Sequence, residues 1–527
     1  MTLPAIAIIF STEPVGINSS AVERSKSAGP DYILRPRRPG APGRWRFHET
    51  WTSVPPRRRV SLPERRVGAH NRRAVCLMAL LVLHLLFRTQ SGAAAMEAQR
   101  FVLPNGVRLV LKPAPAAELV AISICVRTEP DRTLLDDAAG ELVARTLFSS
   151  SLNRSQERLS ASISQVGGSV ETIRTAEHVN ITCVLLPSQV REAVYLLCEV
   201  LKNSEFGALE RTRAELVAEQ ARGGAGIADG LDVLRRELQA RPALADLPFQ
   251  RVTLTRADAY FRSRYVPDRI AIAVVGQFDV SSVRTAFRDS LADFDRPAAR
   301  AIRNSPLYSH ATNFPTRVLK QPGASGYALV ALPAPPLADA DYAAFVILNS
   351  ILGEGHASRL FRRLRDARGI GYNVGAAWQA SLSDPLVAYL QWEAAGRSSQ
   401  KTEVKSQKEA ESRQLADGSG QSTIDRPMAP ETALRLLTAQ IDGMVTEPPT
   451  EAEVARARSV AVGRERLRHE RARDRAFLLA WYEAMGAGVE FDDSLPARLA
   501  AVSRDDVLRV ARNYLGTRAS ILIVPGP

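Results

Sequence analysis

Beyond residue 95 this 527-residue chain carries four histidines, His178, His310, His356 and His469, and their scatter is the first constraint on its chemistry. No two stand at i, i+3 or i, i+4, the spacings that put two imidazoles on one helix face around a metal. His469 and Glu470 open as a metal-binding helix would, but no second histidine follows through Asp474, and the surrounding arginines fit an exposed helix face. Cys125, Cys183 and Cys198 each sit in an apolar stretch (AISICV, NITCVLL, VYLLCEVL) without a CxxC. Buried small hydrophobes are expected there, rather than metal ligands or disulfides. A Gly-x-Ser-x-Gly nucleophile motif is absent, and GEGHASR at 353–359 lacks the Lys-Ser/Thr pair that a phosphate loop needs.

The elements that would position a site are written twice. At roughly 100–200 residues per domain the length predicts two to four domains, and 45% hydrophobic residues are ample for packed cores. Four cysteines and one long apolar run exclude a disulfide scaffold and a polytopic membrane protein, and the ordinary composition excludes a wholly disordered chain. From Phe101 the pattern reads strand, strand, helix, helix, strand, strand, helix, helix, and then repeats. The first copy places strands at 107–111, 120–126, 169–174 and 178–186, and helices at 134–148, around Leu159, Ile163 and Val166, from a Ser188 cap, and at 209–222. The second places strands at 317–320, 327–332, 371–378 and 386–392, and helices at 341–352, 358–367, from Glu431 and from Glu451. The expected fold class is α+β: two tandem copies of an antiparallel-sheet-plus-helices domain, over residues 98–315 and 316–527. Residues 396–427 are polar, with almost nothing to bury, and are expected to form a disordered insertion in the second domain.

The charge is uneven. Residues 1–95 hold fifteen basic and five acidic side chains, +10 of the formal +13, so the remainder is nearly neutral and no nucleic-acid partner is expected. Arg72 and Arg73 precede a 14-residue apolar run at 74–87 and small residues ending at Ala95, the order of a secretory signal peptide. The run falls short of the roughly 20 residues a bilayer span needs. The expectation is an exported protein, periplasmic or extracellular, cleaved after Ala95 and without a stable membrane span. The residues before about 67 read as an over-extended start, with initiation near Val67.

Residues 101–527 resemble the insulinase and pitrilysin family of zinc peptidases, in the branch that holds mitochondrial processing peptidase, the respiratory core subunits and bacterial two-subunit peptidases. The resemblance rests on LPNGVRL at 103–109, Leu147 and Phe148, Gly167 and Gly168, YVPDRIAIAVVG at 265–276, and LNSILGEGHASRL at 348–360 running on into LFRRLRDARGIGY.

The resemblance implies a site in the first copy, on the helix that reads AAGELVARTLF. Active members carry HxxEH there: two histidines bind zinc and the glutamate takes a proton from the metal-bound water. Aligned on Leu147 and Phe148, Glu141 and Arg145 stand at the histidine positions and Ala144 at the glutamate. The third ligand position falls on Glu219, and the family glutamate seven residues before it is Thr212. A guanidinium cannot be deprotonated to ligate and alanine accepts no proton, so no metal is expected on this chain. An ion pair of Arg145 with Glu141 or Glu219 is expected in its place. On the strand after Gly168 an Asn-Ala-x-Thr pattern gives way to Glu171, Thr172 and Arg174, although main-chain pairing with an extended peptide would survive the change.

The second copy keeps what the resemblance assigns to the non-metal half, an arginine and a tyrosine seven residues apart that bind substrate backbone and stabilise the tetrahedral intermediate in trans. Here these are Arg365 and Tyr372. The resulting expectation is a non-catalytic, substrate-binding subunit of an exported heterodimeric zinc metallopeptidase, inactive as a single chain. Its partner would bear HxxEH and the zinc, and its substrates would be peptides. The alternative is a purely structural or peptide-binding protein of the same fold.

Overall fold

Alternating and continuous apolar runs build the first sheet from β1 (Gln99–Val102), β2 (Arg108–Pro113), β3 (Val120–Arg127), β4 (Ser169–Arg174), β5 (His178–Leu185) and β6 (Ile270–Gly276). Their order is β1-β2-β6-β3-β5-β4. The computed structural model that defines these elements describes residues 97–129, 131, 133–222, 247–296, 316–322, 325–371, 373–378, 385–393 and 428–526. The expected leader, the insertion at 396–427, His310 and Tyr372 lie outside the described residues. β3 and β6 are buried along almost their whole length, the signature of strands covered on both faces.

One cover is a layer of helices from the same half: α1 (Leu134–Thr146), α2 (Gln156–Gln165), α3 (Val190–Asn203), α4 (Leu209–Arg222), α5 (Leu254–Arg264) and α6 (Val280–Ser290). α1 starts where the Thr133 side chain accepts from the Asp136 backbone N–H, and Asp136 and Asp137 in its first turn complement the helix dipole. Ala138, Ala139, Leu142 and Val143 form its core-facing side. Each fully buried Leu, Ile or Val in this layer contributes about 1.5–3 kcal/mol. α3 is preceded by a 3-10 turn, Pro187–Gln189, in which no side chain caps the helix, so Ser188 lies in that turn instead of at the expected cap.

The second half repeats the topology. β7 (Arg317–Pro322), β8 (Ser325–Leu332), β9 (Val374–Ala377), β10 (Leu386–Glu393) and β11 (Ala519–Gly526) run in the order β7-β11-β8-β10-β9, which matches β2-β6-β3-β5-β4 strand for strand. Both sheets are antiparallel except for one pair each, β2 with β6 and β7 with β11, which is parallel. β6 and β11 arrive after helices, and a helical crossover permits the parallel pairing that a hairpin cannot make. The helices are α7 (Tyr342–Leu352), a π-helix at Phe361–Asp366, α8 (Pro430–Thr446), α9 (Glu451–Glu470), α10 (Ala472–Met485), α11 (Glu490–Ala501) and α12 (Arg504–Tyr514).

α10 joins the halves. Its apolar side packs on β3 and β6, so Val110, Ala121, Cys125, Ala271 and Val275 of the first sheet belong to the hydrophobic cluster of the second half. Polar contacts ring this seam: Arg100 donates to the buried Glu483 carboxylate at 2.8 Å and Arg108 to the Glu483 carbonyl at 3.0 Å. Cys125, Cys183 and Cys198 are buried free thiols, as expected, and burial pushes Cys183 up to about 11. No helix among the described residues is long and apolar enough to cross a membrane.

Candidate functional site

The expected ion pair forms. Arg145 lies one turn after Glu141 on α1 and its Nε donates to Glu141 Oε1 at 2.8 Å, while its Nη1 sits 3.4 Å from Glu219 Oε2 on α4. Ala144, at the position that would need a proton acceptor, is buried among the core residues of the first half. These residues do not fit a zinc ion. The side chain that lies between the two carboxylates, Arg145, is itself a cation that cannot ligate a metal. Among the described residues, no group of three His, Cys, Asp or Glu side chains is placed to hold a metal.

Behind Glu141 stands a second arginine that the sequence pattern did not single out for a role. β4 is an edge strand that pairs only with β5, and Val170 faces the helix layer. Strand parity then turns Thr172 and Arg174 to the same face. Arg174 meets Asp131 at 2.8 Å, Asp137 at 2.5 Å and Glu141 at 3.6 Å, and its side chain is 11% exposed. Burial opposes its charge, but Tyr260, Asp137, Glu141 and Asp131 outweigh that and hold its pKa well above the ordinary arginine value. Burial also raises the Asp131 carboxyl, against Arg174 and Arg264, which lies 2.9 Å away. Tyr260 donates to Asp131 at 3.0 Å.

Gly140 makes room for this cluster. A Cβ there would lie 2.6 Å from the Tyr260 hydroxyl oxygen and 2.8 Å from Arg174 Nε. On the opposite face of β4, Glu171 pairs with Arg473 at the start of α10. One signal in the sequence points to Arg174: it shares the face of β4 that Val170 turns to the core, and a charge there requires buried counter-charges.

In the second half, Arg365 lies in the π-helix, half-buried, with its guanidinium 4.8 Å from the centroid of the Phe361 ring. π-Helical turns concentrate at functional positions. The chain leaves this turn through Gly369 and Gly371, both at positive φ (64° and 76°), and a Cβ on Gly371 would come within 2.8 Å of the Gln391 carbonyl. Arg359 anchors the segment from below. Buried at 5% exposure, it makes a two-pronged pair with Glu453, 2.8 Å on each side, and donates to the Glu447 carbonyl at 2.8 Å. That pairing holds the Glu453 carboxyl down at about 2.

The structure does not bring the three described histidines together. His178 is buried between β5 and α10, near Phe477 and Trp481, and burial lowers its pKa to about 4. His356 is exposed beside Phe361. His469 is not on the expected exposed face: its side chain is 17% exposed and bonds Asp492 at 2.9 Å, because α11 folds back over this end of α9.

Two family models match the chain. Residues 138–226 match the model described as Insulinase (Peptidase family M16), and residues 251–412 match Peptidase M16 inactive domain. A protein of Streptomyces coelicolor named "Uncharacterized zinc protease" is 26% identical over 454 residues, covering 81% of this chain and 89% of that one. A protein of the same description from Mycobacterium tuberculosis is 26% identical over 305 residues, 54% of this chain and 68% of that one. Among solved structures, the peptidase M16 inactive domain from Pseudomonas fluorescens aligns with a TM-score of 0.67 at 15% identity, over 82% of this chain and 98% of that one. A protease from Helicobacter pylori aligns with a TM-score of 0.62 at 14% identity, over 82% and 100%.

Proposed function

Because the chain belongs to the insulinase, or M16, peptidase family, we propose that it is the non-catalytic, substrate-binding subunit of an exported, two-subunit zinc peptidase. The observation that carries the reading is the state of α1. A guanidinium lies between Glu141 and Glu219, and Ala144 is packed into the core, so the histidine ligands and the proton-accepting glutamate of an HxxEH helix are replaced there. Its contribution lies in the second half. The guanidinium of Arg365 and the phenol of Tyr372 donate hydrogen bonds to peptide carbonyl oxygens, and those bonds strengthen as negative charge develops on the oxygen. The π-helical turn and the Arg359–Glu453 anchor support this role, since both fix the backbone that carries Arg365. The partner is a family member with an intact HxxEH helix, the substrates are peptides, and export rests on the leader at 72–95.

The test is chelator-sensitive peptide cleavage by the mature chain alone and by the complex recovered from its native host through a tag on this chain. Cleavage in the complex alone, reduced roughly 100-fold by Arg365→Ala with Tyr372→Phe while assembly persists, is the expected result. No cleavage in either sample would replace the proposal with a purely structural or peptide-binding role. Cleavage by the single chain would refute it.

A further inference from the structure

We infer that the Arg145 and Arg174 guanidiniums together do mechanically what a bound cation would do at this position: Arg145 joins α1 to α4 and Arg174 joins α1 to β4, so the fold needs no metal. This stands independently of any partner or peptidase role.

Two elements meet at one carboxylate, and Arg145 extends the link to a third. Glu141 sits on α1 with each of its oxygens facing a different guanidinium: Oε1 meets Arg145 Nε at 2.8 Å, and Oε2 meets Arg174 Nη1 at 3.6 Å. Arg145 then reaches α4 through Glu219 at 3.4 Å, and Arg174 carries the link into β4, under α1, through Asp137 and Asp131. A cation held jointly by Glu141 and Glu219 would have to occupy the space the Arg145 guanidinium fills. A dication would also meet the positive charge of Arg174 behind Glu141, and at these separations that repulsion is several times the thermal energy even at an effective dielectric near 20. A metal joining side chains from separate elements stabilises a fold by its binding energy. Here the chain's own cations make the same joins. The two links differ in strength: Arg145 is 41% exposed and Glu219 51%, so theirs is weak, whereas Arg174 and Asp131 are 11% and 1% exposed and form the firm one.

The experiment uses the mature chain, with thermal melting and metal analysis as readouts. Wild type is expected to hold no stoichiometric zinc and to melt at the same temperature with EDTA or with added zinc chloride. Arg145→Ala and Glu219→Ala are each expected to lower the melting temperature by roughly 1–3 °C, and the double variant by no more than Arg145→Ala alone. Glu141→His with Arg145→His removes the guanidinium and leaves Glu219, and is expected to take up one zinc and melt roughly 2–5 °C higher when zinc is added. If that variant does not fold, the Arg145/Glu219 cycle decides alone. One zinc per wild-type chain, a wild-type melting temperature lowered by EDTA, or additive effects in the cycle would overturn the inference.

Discussion

Replacing Arg174 by methionine removes a buried charge while keeping a long, flexible side chain, and the surrounding contacts set the size of the effect. Losing one partner of a buried ion pair costs roughly 3–5 kcal/mol, because the other charge is left behind. Two of the three carboxylate partners of Arg174 keep other contacts, which reduces that cost here. Asp131 keeps Arg264 at 2.9 Å and the Tyr260 hydroxyl at 3.0 Å. Glu141 keeps Arg145 at 2.8 Å. Asp137 is the group that loses most, since Arg174 is its ion-pair partner at 2.5 Å. The expected loss is about 2–4 kcal/mol. With a urea dependence of about 3 kcal/mol per molar, it moves the unfolding midpoint down by roughly 0.7–1.3 M, measured by far-UV circular dichroism on the mature chain. Arg145→Ala, on the exposed side of the same cluster, should move it by less than about 0.3 M. A midpoint for Arg174→Met within that smaller interval would mean that the buried cluster does not anchor β4, and the reasoning from burial and distance would be wrong.

Three further outcomes follow from neighbouring geometry. Gly140→Ala, which in an ordinary helix interior stabilises by up to about 1 kcal/mol, should here destabilise by about 1–3 kcal/mol, because the new Cβ collides with Tyr260 and Arg174; a rise in melting temperature would contradict it. Burial keeps His178 neutral with its pKa at about 4 against an ordinary 6.5, so as pH falls through that window the unfolded chain takes up a proton that the folded chain refuses. Stability should therefore decline by about 3 kcal/mol between roughly pH 6.5 and 4 and then level off in this contribution, and His178→Gln should flatten that slope in urea titrations. Glu453, held at about 2 by Arg359, has the opposite origin: its pairing stabilises above the ordinary carboxylate range and is lost as pH falls from about 4.5 to 2. Arg359→Met should cost about 3–5 kcal/mol near neutrality and flatten the acid-side slope, the Thr450 hydrogen bonds to Glu453 remaining, and an unchanged slope below pH 4.5 would exclude the pairing as its cause.

Most of the scaffold is legible because it is local. The alternation of Val179, Ile181, Cys183 and Leu185 marks β5, Gly167 and Gly168 end α2, and the i, i+4 spacing of Glu141 and Arg145 announces their pair. The parts that were not legible are long-range. α10 is buried almost all round from Leu478 to Met485, so its sequence carries no amphipathic stripe, and its packing on the first half cannot be read from its own residues. β6 and β11 read as apolar runs, yet their parallel pairing depends on helices that return the chain to a distant strand. Arg174 needed partners 37 and 43 residues away before its inward parity meant anything. His469 looked exposed from its arginine-rich surroundings and is instead held by Asp492, from a helix that local pattern did not anticipate.

The way the chemistry-bearing positions of α1 are occupied bears on what the chain is kept for. A site that had merely lost its ligands would leave unpaired charges near the core, each costing several kcal/mol. Here each change is answered by another contact. Glu141 is flanked by two guanidiniums, Arg145 lies against two carboxylates, Ala144 fills core space, and Arg174 brings β4 under the same helix. The result is a first half in which ion pairs firmly join the edge strand to α1 and more weakly join α4 to it, with the carboxylates there occupied by guanidiniums. Such a half can present a surface or complete a chamber. Among the described residues nothing at this position of α1 fits the zinc chemistry of an HxxEH helix, so the proposed function assigns that chemistry to a partner.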